Sequence, residues 1–256
     1  MSVLKNPISP CLWKLAGPTM SLGENNLRLT AIILARVLAF IEPSDLVSKS
    51  GIYFPDLVRE IAKYYRFQKS PQTFEEHDMA KGVEFIEGQS GKRGITKFVI
   101  WPNIMVLETR SSTDDSKALL EEILAWGKEK FDLAYEPGMI RRFAYVSNLT
   151  FHSDAPMLRV SPLLERIAQK TSEALTEIWS EPVSYEPIDL KVGHDPLARR
   201  WGIAPFQITR RAETEFSANK YFSEAPLPTD MHISLLEEYE AGILELHGMP
   251  GKAGTS

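Results

Sequence analysis

The sequence predicts an α+β fold, made by tandem duplication of a β-α-β-β-β-α unit. Residues 113–122 and 229–238 share a Thr-Asp pair and a Leu-Leu-Glu-Glu run at the same spacing. The predicted elements follow the same order in both halves of the chain. The first helix of each half also opens with a proline, Pro55 or Pro162, which is favourable in the first helical turn. These three observations together indicate a duplicated architecture.

The first half extends over residues 24–136 and is preceded by an irregular N-terminal arm, residues 1–23. Hydrophobic patterns predict a helix after Pro55 and three strands, at 83–87, 95–101 and 104–109. A second helix begins near Thr113, where hydroxyls can cap it and acidic residues suit the helix dipole. The dense apolar run 27–41 is ambiguous by itself, and its counterpart in the second half favours a long buried strand.

The second half extends over residues 137–246 and is followed by a flexible tail, residues 247–256. A strand is predicted over 140–151, with three more at 183–192, 206–211 and 219–223. Two helices complete the half, one opened by Pro162 and one after Pro228. We expect the helix after Pro162 to bury an apolar stripe, which consists of Leu163, Leu164, Ile167, Leu175 and Ile178.

Two such units can join edge to edge into one curved antiparallel sheet, with the helices packed on one face and the other face open. This pattern is similar to the saddle of TATA-binding-protein-like and related helix-on-sheet folds. The resemblance is one of fold, since the residues carry no motif of those proteins. It implies a concave sheet surface, which can serve nucleic acids, small ligands or protein partners.

Composition limits the class of protein. With 256 residues, 43% hydrophobic and 25% charged, the chain has the make-up of a globular protein. A net charge of −5 argues against general affinity for nucleic acid, which depends on Lys and Arg. The single cysteine, Cys11, suits a reducing compartment. The longest apolar run, residues 29–41, is too short to span a membrane, so we expect a cytoplasmic protein. We also expect the protein to be prokaryotic.

Three arginine pairs in the second half are the candidate ligand-binding residues: Arg141 and Arg142, Arg199 and Arg200, and Arg210 and Arg211. Guanidinium groups bind carboxylate or phosphate through two parallel hydrogen bonds, so convergent arginines would suit an anionic ligand. The alternative is that they pair with acidic side chains of the second half, which outnumber its basic ones.

His194 and Asp195 are weak candidates for catalysis, because a histidine beside a carboxylate can act as a base. His152 and Asp154 form a similar pair after another predicted strand. A turn explains Asp195-Pro196 equally well. Phosphate-loop, dinucleotide-binding, nucleophile-elbow and zinc-protease motifs are absent from the sequence. We therefore predict no metal and no cofactor.

The first hypothesis for function is a non-catalytic binding protein that engages a protein partner or an anionic ligand through its sheet surface. A second is a hydrolase or nuclease for a phosphate-containing substrate, using Arg141, Arg199 and Arg210 together with the His194-Asp195 pair. A third is nucleic-acid binding on the concave sheet face. The placement of the arginines distinguishes these three.

Overall fold

The computed structural model describes residues 27–41, 51–195, 197 and 202–249. The predicted N-terminal arm, Cys11, Arg199 and Arg200 lie outside these residues, as does the tail from residue 250. These residues form eight strands and four α-helices, in this order: β1 (Arg28–Phe40), α1 (Phe54–Tyr64), β2 (Val83–Ser90), β3 (Arg93–Ile100), β4 (Ile104–Thr109), α2 (Thr113–Phe131), β5 (Phe143–His152), α3 (Pro162–Trp179), β6 (Asp189–Val192), β7 (Phe206–Arg210), β8 (Lys220–Ala225) and α4 (Thr229–Leu246). None of these helices is both long and apolar enough to cross a membrane.

All eight strands belong to one antiparallel sheet with the order β2-β3-β4-β1-β5-β8-β7-β6. The α+β fold and the antiparallel sheet are thus confirmed. The two central strands, β1 and β5, are the first strands of their halves, and Ala35 pairs with Ser147 between them. Read inward from either edge, the sheet presents the second, third, fourth and first strand of one half.

The first core lies between β1–β4 and the helices α1 and α2. It contains Leu57, Val58 and Ile61 of α1, together with Leu120 and Ile123 of α2. Alternate strand residues pack against these helices, among them Val37, Phe85, Phe98 and Leu107. Complete burial of each such side chain contributes about 1.5–3 kcal/mol. The predicted strand at residues 27–41 is thus present as β1, but it is buried only in its C-terminal part, which adds Ala39 to this core.

The second core is built differently from the first. Leu236, Ile243 and Leu244 of α4 pack against β5, β7 and β8. The loop before α3 adds further buried side chains, Ala155, Met157 and Leu158. Glu240 of α4 is 2% exposed, and its carboxylate accepts hydrogen bonds from the Leu27 N–H at 2.8 Å and from the Ser153 hydroxyl. The last helix thereby holds the start of the first strand.

The predicted burial of the apolar stripe of α3 is wrong. No residue of α3 is buried, and Leu163, Ile167 and Ile178 are 64%, 54% and 71% exposed. The loop 155–158 supplies the apolar side chains of the second core instead. The segment after α3 forms a hydrogen bond with the polar side of this helix, since the Tyr185 N–H donates to the Ser172 hydroxyl at 2.8 Å.

The repeated Thr-Asp sequence joins two helix N-termini. The Thr113 N–H donates to Thr229 Oγ1 at 3.0 Å, and the Thr229 N–H donates to Thr113 Oγ1 at 2.8 Å. Both residues are buried. The first N–H groups of a helix have no partner within that helix, so each threonine satisfies such a group in the other helix. Only α2 also has a side-chain cap, because Ser112 Oγ accepts from the Asp115 N–H at 3.0 Å.

Replacing Thr113 by valine should lower the free energy of unfolding by about 1–2 kcal/mol, because the buried Thr229 N–H loses its acceptor. Thr229→Val should have a similar effect on the Thr113 N–H. The matched control is Thr113→Ser, which retains the hydroxyl and should retain most of the stability. Urea denaturation measures all three variants, and equal stability of Thr113→Val and wild type would contradict the role of this pair.

His232 of α4 makes the folded state sensitive to acid. Its Nε2 lies 2.8 Å from the Ser223 hydroxyl, whereas its Nδ1 lies near the Ser147 carbonyl without hydrogen-bond geometry. Burial lowers the pKa of His232 from 6.5 to about 4. The neutral ring is therefore the form that the folded protein accommodates.

Because the unfolded chain takes up this proton first, stability should fall as the pH decreases from about 6.5 towards 4, and should recover above 6.5. The loss attributable to His232 should total about 3 kcal/mol over this window. Urea denaturation at several pH values measures it. Carboxylates also titrate here, so the comparison is with His232→Gln, whose stability should depend less on pH. Identical pH profiles for the two proteins would contradict the assignment.

Candidate functional site

A polar cleft of about 560 Å³ lies at one end of the second half of the sheet. Four segments form it: residues 154–159 after β5, the pair Glu186 and Pro187, the β7–β8 connection, and the chain after α4. We call it the Arg210 cleft, because Arg210, the last residue of β7, lies in its wall. It combines charged, aromatic and amide side chains.

Arg210 is held in one orientation by contacts on every side. Its side chain is 13% exposed, and its Nη2 lies 2.9 Å from the Glu186 carboxylate. Nη1 donates to the Phe216 carbonyl at 2.9 Å. The guanidinium carbon lies 5.1 Å from the centre of the Phe216 ring and 5.0 Å from that of Tyr221, distances typical of cation–π contacts. A guanidinium fixed in this way presents its donors in a defined geometry.

Among the residues that the structure describes, two buried polar atoms beside the cleft have no hydrogen-bond partner, Arg210 Nε and the Tyr221 hydroxyl. The Met157 backbone lies near the Tyr221 hydroxyl without hydrogen-bond geometry, and the Met157 carbonyl accepts from the Tyr239 hydroxyl at 2.7 Å. Burial raises the pKa of Tyr221, and the nearby Arg210 guanidinium opposes that shift. The phenol is therefore neutral at physiological pH and can donate a hydrogen bond. Unpaired buried donors cost free energy, so a partner here would be stabilising.

Arg159 brings a second guanidinium to the same carboxylate. Its Nη2 lies 3.7 Å from Glu186 Oε1, and its side chain is 48% exposed. Its backbone carbonyl contacts His247 Nε2 at 2.8 Å, which ties the segment before α3 to the chain after α4. Glu186 thus lies between two arginines. A second carboxylate, Asp154, also lines the cleft, but it lies near His152 rather than between the arginines.

The first half has a cavity of about 240 Å³ at the place that corresponds to the Arg210 cleft. Its lining is apolar and includes Trp101, Trp126 and Leu133. Sheet register defines the correspondence. In the second half, the second residue of β8, Tyr221, pairs with Phe151 of β5 and Arg210 of β7. In the first half, the second residue of β4, Met105, pairs with Ala39 of β1 and Ile100 of β3. Arg210 therefore occupies the register position of Ile100.

The other candidate arginines are distributed elsewhere. Arg211 follows β7 and is exposed. Arg141 and Arg142 are exposed residues before β5, and the Arg142 guanidinium lies 4.4 Å from the centre of the Phe40 ring. Of the candidate ligand-binding arginines that the structure describes, Arg210 alone lines the cleft.

The His194-Asp195 pair lies at the end of the β6–β7 hairpin opposite to Arg210. Both residues are exposed, and His194 Nδ1 lies 2.6 Å from the Asp195 carbonyl. Val192 pairs with Phe206, whereas the Arg210 N–H bonds to the Ile188 carbonyl. His194 and Asp195 are thus not brought together with Arg210, and Arg199 lies outside the described residues.

His152 and Asp154 do approach each other, with 3.7 Å between Nε2 and Oδ1, and Asp154 lines the Arg210 cleft. Across residues 27–41, 51–195, 197 and 202–249, no three His, Cys, Asp or Glu side chains form a group that could hold a metal ion.

The sequence did not point to Glu186, Arg159 or Phe216 as site residues. Each lies in a different segment, and only folding brings them to the cleft.

Comparison of the sequence with models of known protein families gave no match, and comparison with curated proteins gave none either. The interpretation of the site therefore rests on its own chemistry.

Removing Glu186 should leave the Arg210 guanidinium without its charged partner. We expect a coupling free energy of about 1–3 kcal/mol between Arg210 and Glu186 in a double-mutant cycle with Arg210→Met and Glu186→Gln. The control cycle uses the exposed pair Arg59 and Asp56 on α1, whose side chains are 71% and 51% exposed. Its coupling should stay below about 0.5 kcal/mol. Equal couplings in the two cycles, measured by urea denaturation, would show that the buried contact has no special stability.

Proposed function

We propose that the protein is a non-catalytic binding protein, and that the Arg210 cleft takes a small ligand that carries an anionic group. The observation that carries this proposal is the sharing of one carboxylate, Glu186, by two guanidinium groups at the wall of an open cleft. Arg210 is rigid and mostly buried, whereas Arg159 is half exposed and can turn towards a ligand. A carboxylate or phosphate would bind the Arg159 guanidinium, whose 3.7 Å contact with Glu186 is longer than a hydrogen bond.

We also propose that the chain arose by tandem duplication of a β-α-β-β-β-α unit, with halves at residues 24–136 and 137–246. The common element order and the symmetric strand order support this. Equivalent residues also meet each other: Thr113 bonds Thr229, and Ala35 pairs with Ser147. Ala35 and Ser147 also occupy equivalent positions in the sheet. Ala35 pairs with Thr109, four residues before Thr113, and Ser147 pairs with Ala225, four residues before Thr229.

Duplication sharpens the functional proposal, because the two cavities then descend from one. The first-half cavity is lined by apolar side chains, as a structural core is. The second-half cavity instead has an arginine at the position of Ile100 and a tyrosine at the position of Met105. Polar side chains in a core position lower stability unless they are paired. Their accumulation at one cavity favours a binding role for that cavity.

The opposite face of the sheet supports nucleic-acid binding less well. Two basic side chains of this face are paired with acidic neighbours, Arg36 with Glu108 at 2.7 Å and Lys97 with Glu84 at 3.0 Å. Paired cations have less charge to offer to phosphates. The Arg210 cleft is consequently the better-supported anion site, and it lies on the helix side of the sheet rather than on the open surface.

The test is thermal stabilisation at low ionic strength by a panel of probes: inorganic phosphate, pyrophosphate, citrate and N-acetylglutamate. At least one probe should raise the Tm of the wild type, and added salt should weaken the effect. Arg159→Gln should reduce the affinity for that probe 10- to 100-fold, measured by calorimetry, because a charged hydrogen bond is lost.

The matched control is Arg211→Gln, which removes an exposed arginine next to Arg210 but outside the cleft. Its affinity for the probe should equal that of the wild type. Equal losses in the Arg159 and Arg211 variants would indicate unspecific charge attraction and contradict the proposed site, as would the absence of any stabilisation across the panel.

A further inference from the structure

The helix α3 presents an apolar stripe to solvent along its whole length. Leu163, Leu164, Ile167 and Ile178 are between 47% and 71% exposed, and Trp179 at the C-terminal end is 58% exposed. No residue of this 18-residue helix is buried. The helix is nevertheless attached on its polar side, where Ser172 and Thr176 accept from the backbone of Tyr185 and Val183. Within the part of the chain that the structure describes, its apolar side remains exposed.

The spacing within the stripe is that of a coiled coil. Leu164, Thr171 and Ile178 follow one another at seven-residue intervals, and Ile167 and Ala174 are also seven residues apart. Alternating intervals of three and four residues keep one seam of a helix against a partner helix. The small residues Thr171 and Ala174 occupy the centre of the seam, where they allow two helix axes to approach closely. The pattern therefore fits a helix as the partner.

Charges beside the seam define which helix. Lys170 in the N-terminal half of α3 and Glu177 in its C-terminal half flank the seam at equivalent heptad positions, and both are exposed. Arg166 and Glu173 repeat the same division of charge farther from the seam and are also exposed. In an antiparallel pair of two α3 helices, the basic half of one helix faces the acidic half of the other. A parallel pair would place each charge beside its own copy. Complementary flanking charges determine orientation and partner choice in such pairs.

We propose that the protein forms a two-fold symmetric homodimer through antiparallel pairing of α3. The interface is isologous, so the contact between Lys170 and the acidic half of the other copy occurs twice. Ile167 of one copy packs near Ile178 of the other, and the small residues of both copies meet at the symmetry axis. A single helix pair is a small interface, so we expect a dissociation constant on the order of micromolar. This inference is independent of the ligand proposed for the Arg210 cleft.

Sedimentation equilibrium over a range of concentrations tests the dimer. The wild type should change from monomer to dimer as its concentration rises through the micromolar range. Ile167→Glu should weaken the association at least 100-fold, because it places a charge in the apolar seam. Circular dichroism checks that the variant retains its fold.

Charge reversal tests the orientation at exposed positions, where folding is not at risk. Lys170→Glu and Glu177→Lys should each weaken self-association about 10-fold. Combining both substitutions in one chain should restore it, because the two opposite charges simply exchange places. Equimolar mixing of the two single variants should give a heterodimer. The control is Glu129→Lys, an exposed reversal on α2 that should leave association unchanged.

Three outcomes would overturn the proposal. One is a wild-type protein that stays monomeric up to millimolar concentration. Another is a dimer that Ile167→Glu does not weaken, because its interface would then lie elsewhere. The third is a dimer that the single reversals leave unchanged or that the double reversal fails to restore, since only the antiparallel arrangement predicts that pattern.

Discussion

The reciprocal hydrogen bonds between Thr113 and Thr229 join the two halves on the helix side of the sheet, next to the strand pairing of β1 with β5. They fix the start of α2 against the start of α4, directly beside the central pair of strands. Two helix N-termini carry like partial charges, and their close approach would be unfavourable without partners for their N–H groups. Each threonine supplies such a partner to the other helix. One buried pair therefore holds the starts of the two helices together.

The two halves have different side chains at equivalent positions of the sheet. In the first half, Ile100 and Met105 line the apolar cavity, and α1 contributes to the core. The second half has Arg210 and Tyr221 at those register positions, and a loop replaces the helix in its core. As a result, α3 is released from the core and keeps an exposed apolar side. The two inferred binding surfaces, the cleft and the helix, thus share one structural origin.

Most of the order of elements could be predicted from local strand and helix periodicities, whereas β1 was assigned only by comparison with the other half. The sequence was misleading for α3. An apolar stripe such as Leu163, Ile167 and Ile178 predicts an apolar environment for the helix, but the stripe does not tell whether the same chain or another molecule covers it. Only part of the Arg210 cleft could be predicted from the sequence. Arg210 was among the candidates, but Glu186 and Phe216 reach it through tertiary contacts that no sequence spacing encodes. The register position shared with Ile100 likewise depends on strand pairing.

The pairing of Ala35 with Ser147 has a consequence for the history of the chain. If one unit gave rise to both halves, these two positions were once the same position, and it faced its own copy across two neighbouring strands. The same holds for the two threonines. A single ancestral unit would then have been an obligate pair of identical chains sharing a continuous sheet, with its symmetry axis between β1 and β5. Fusion of the two copies would then have allowed each to change alone, which a symmetric assembly does not permit.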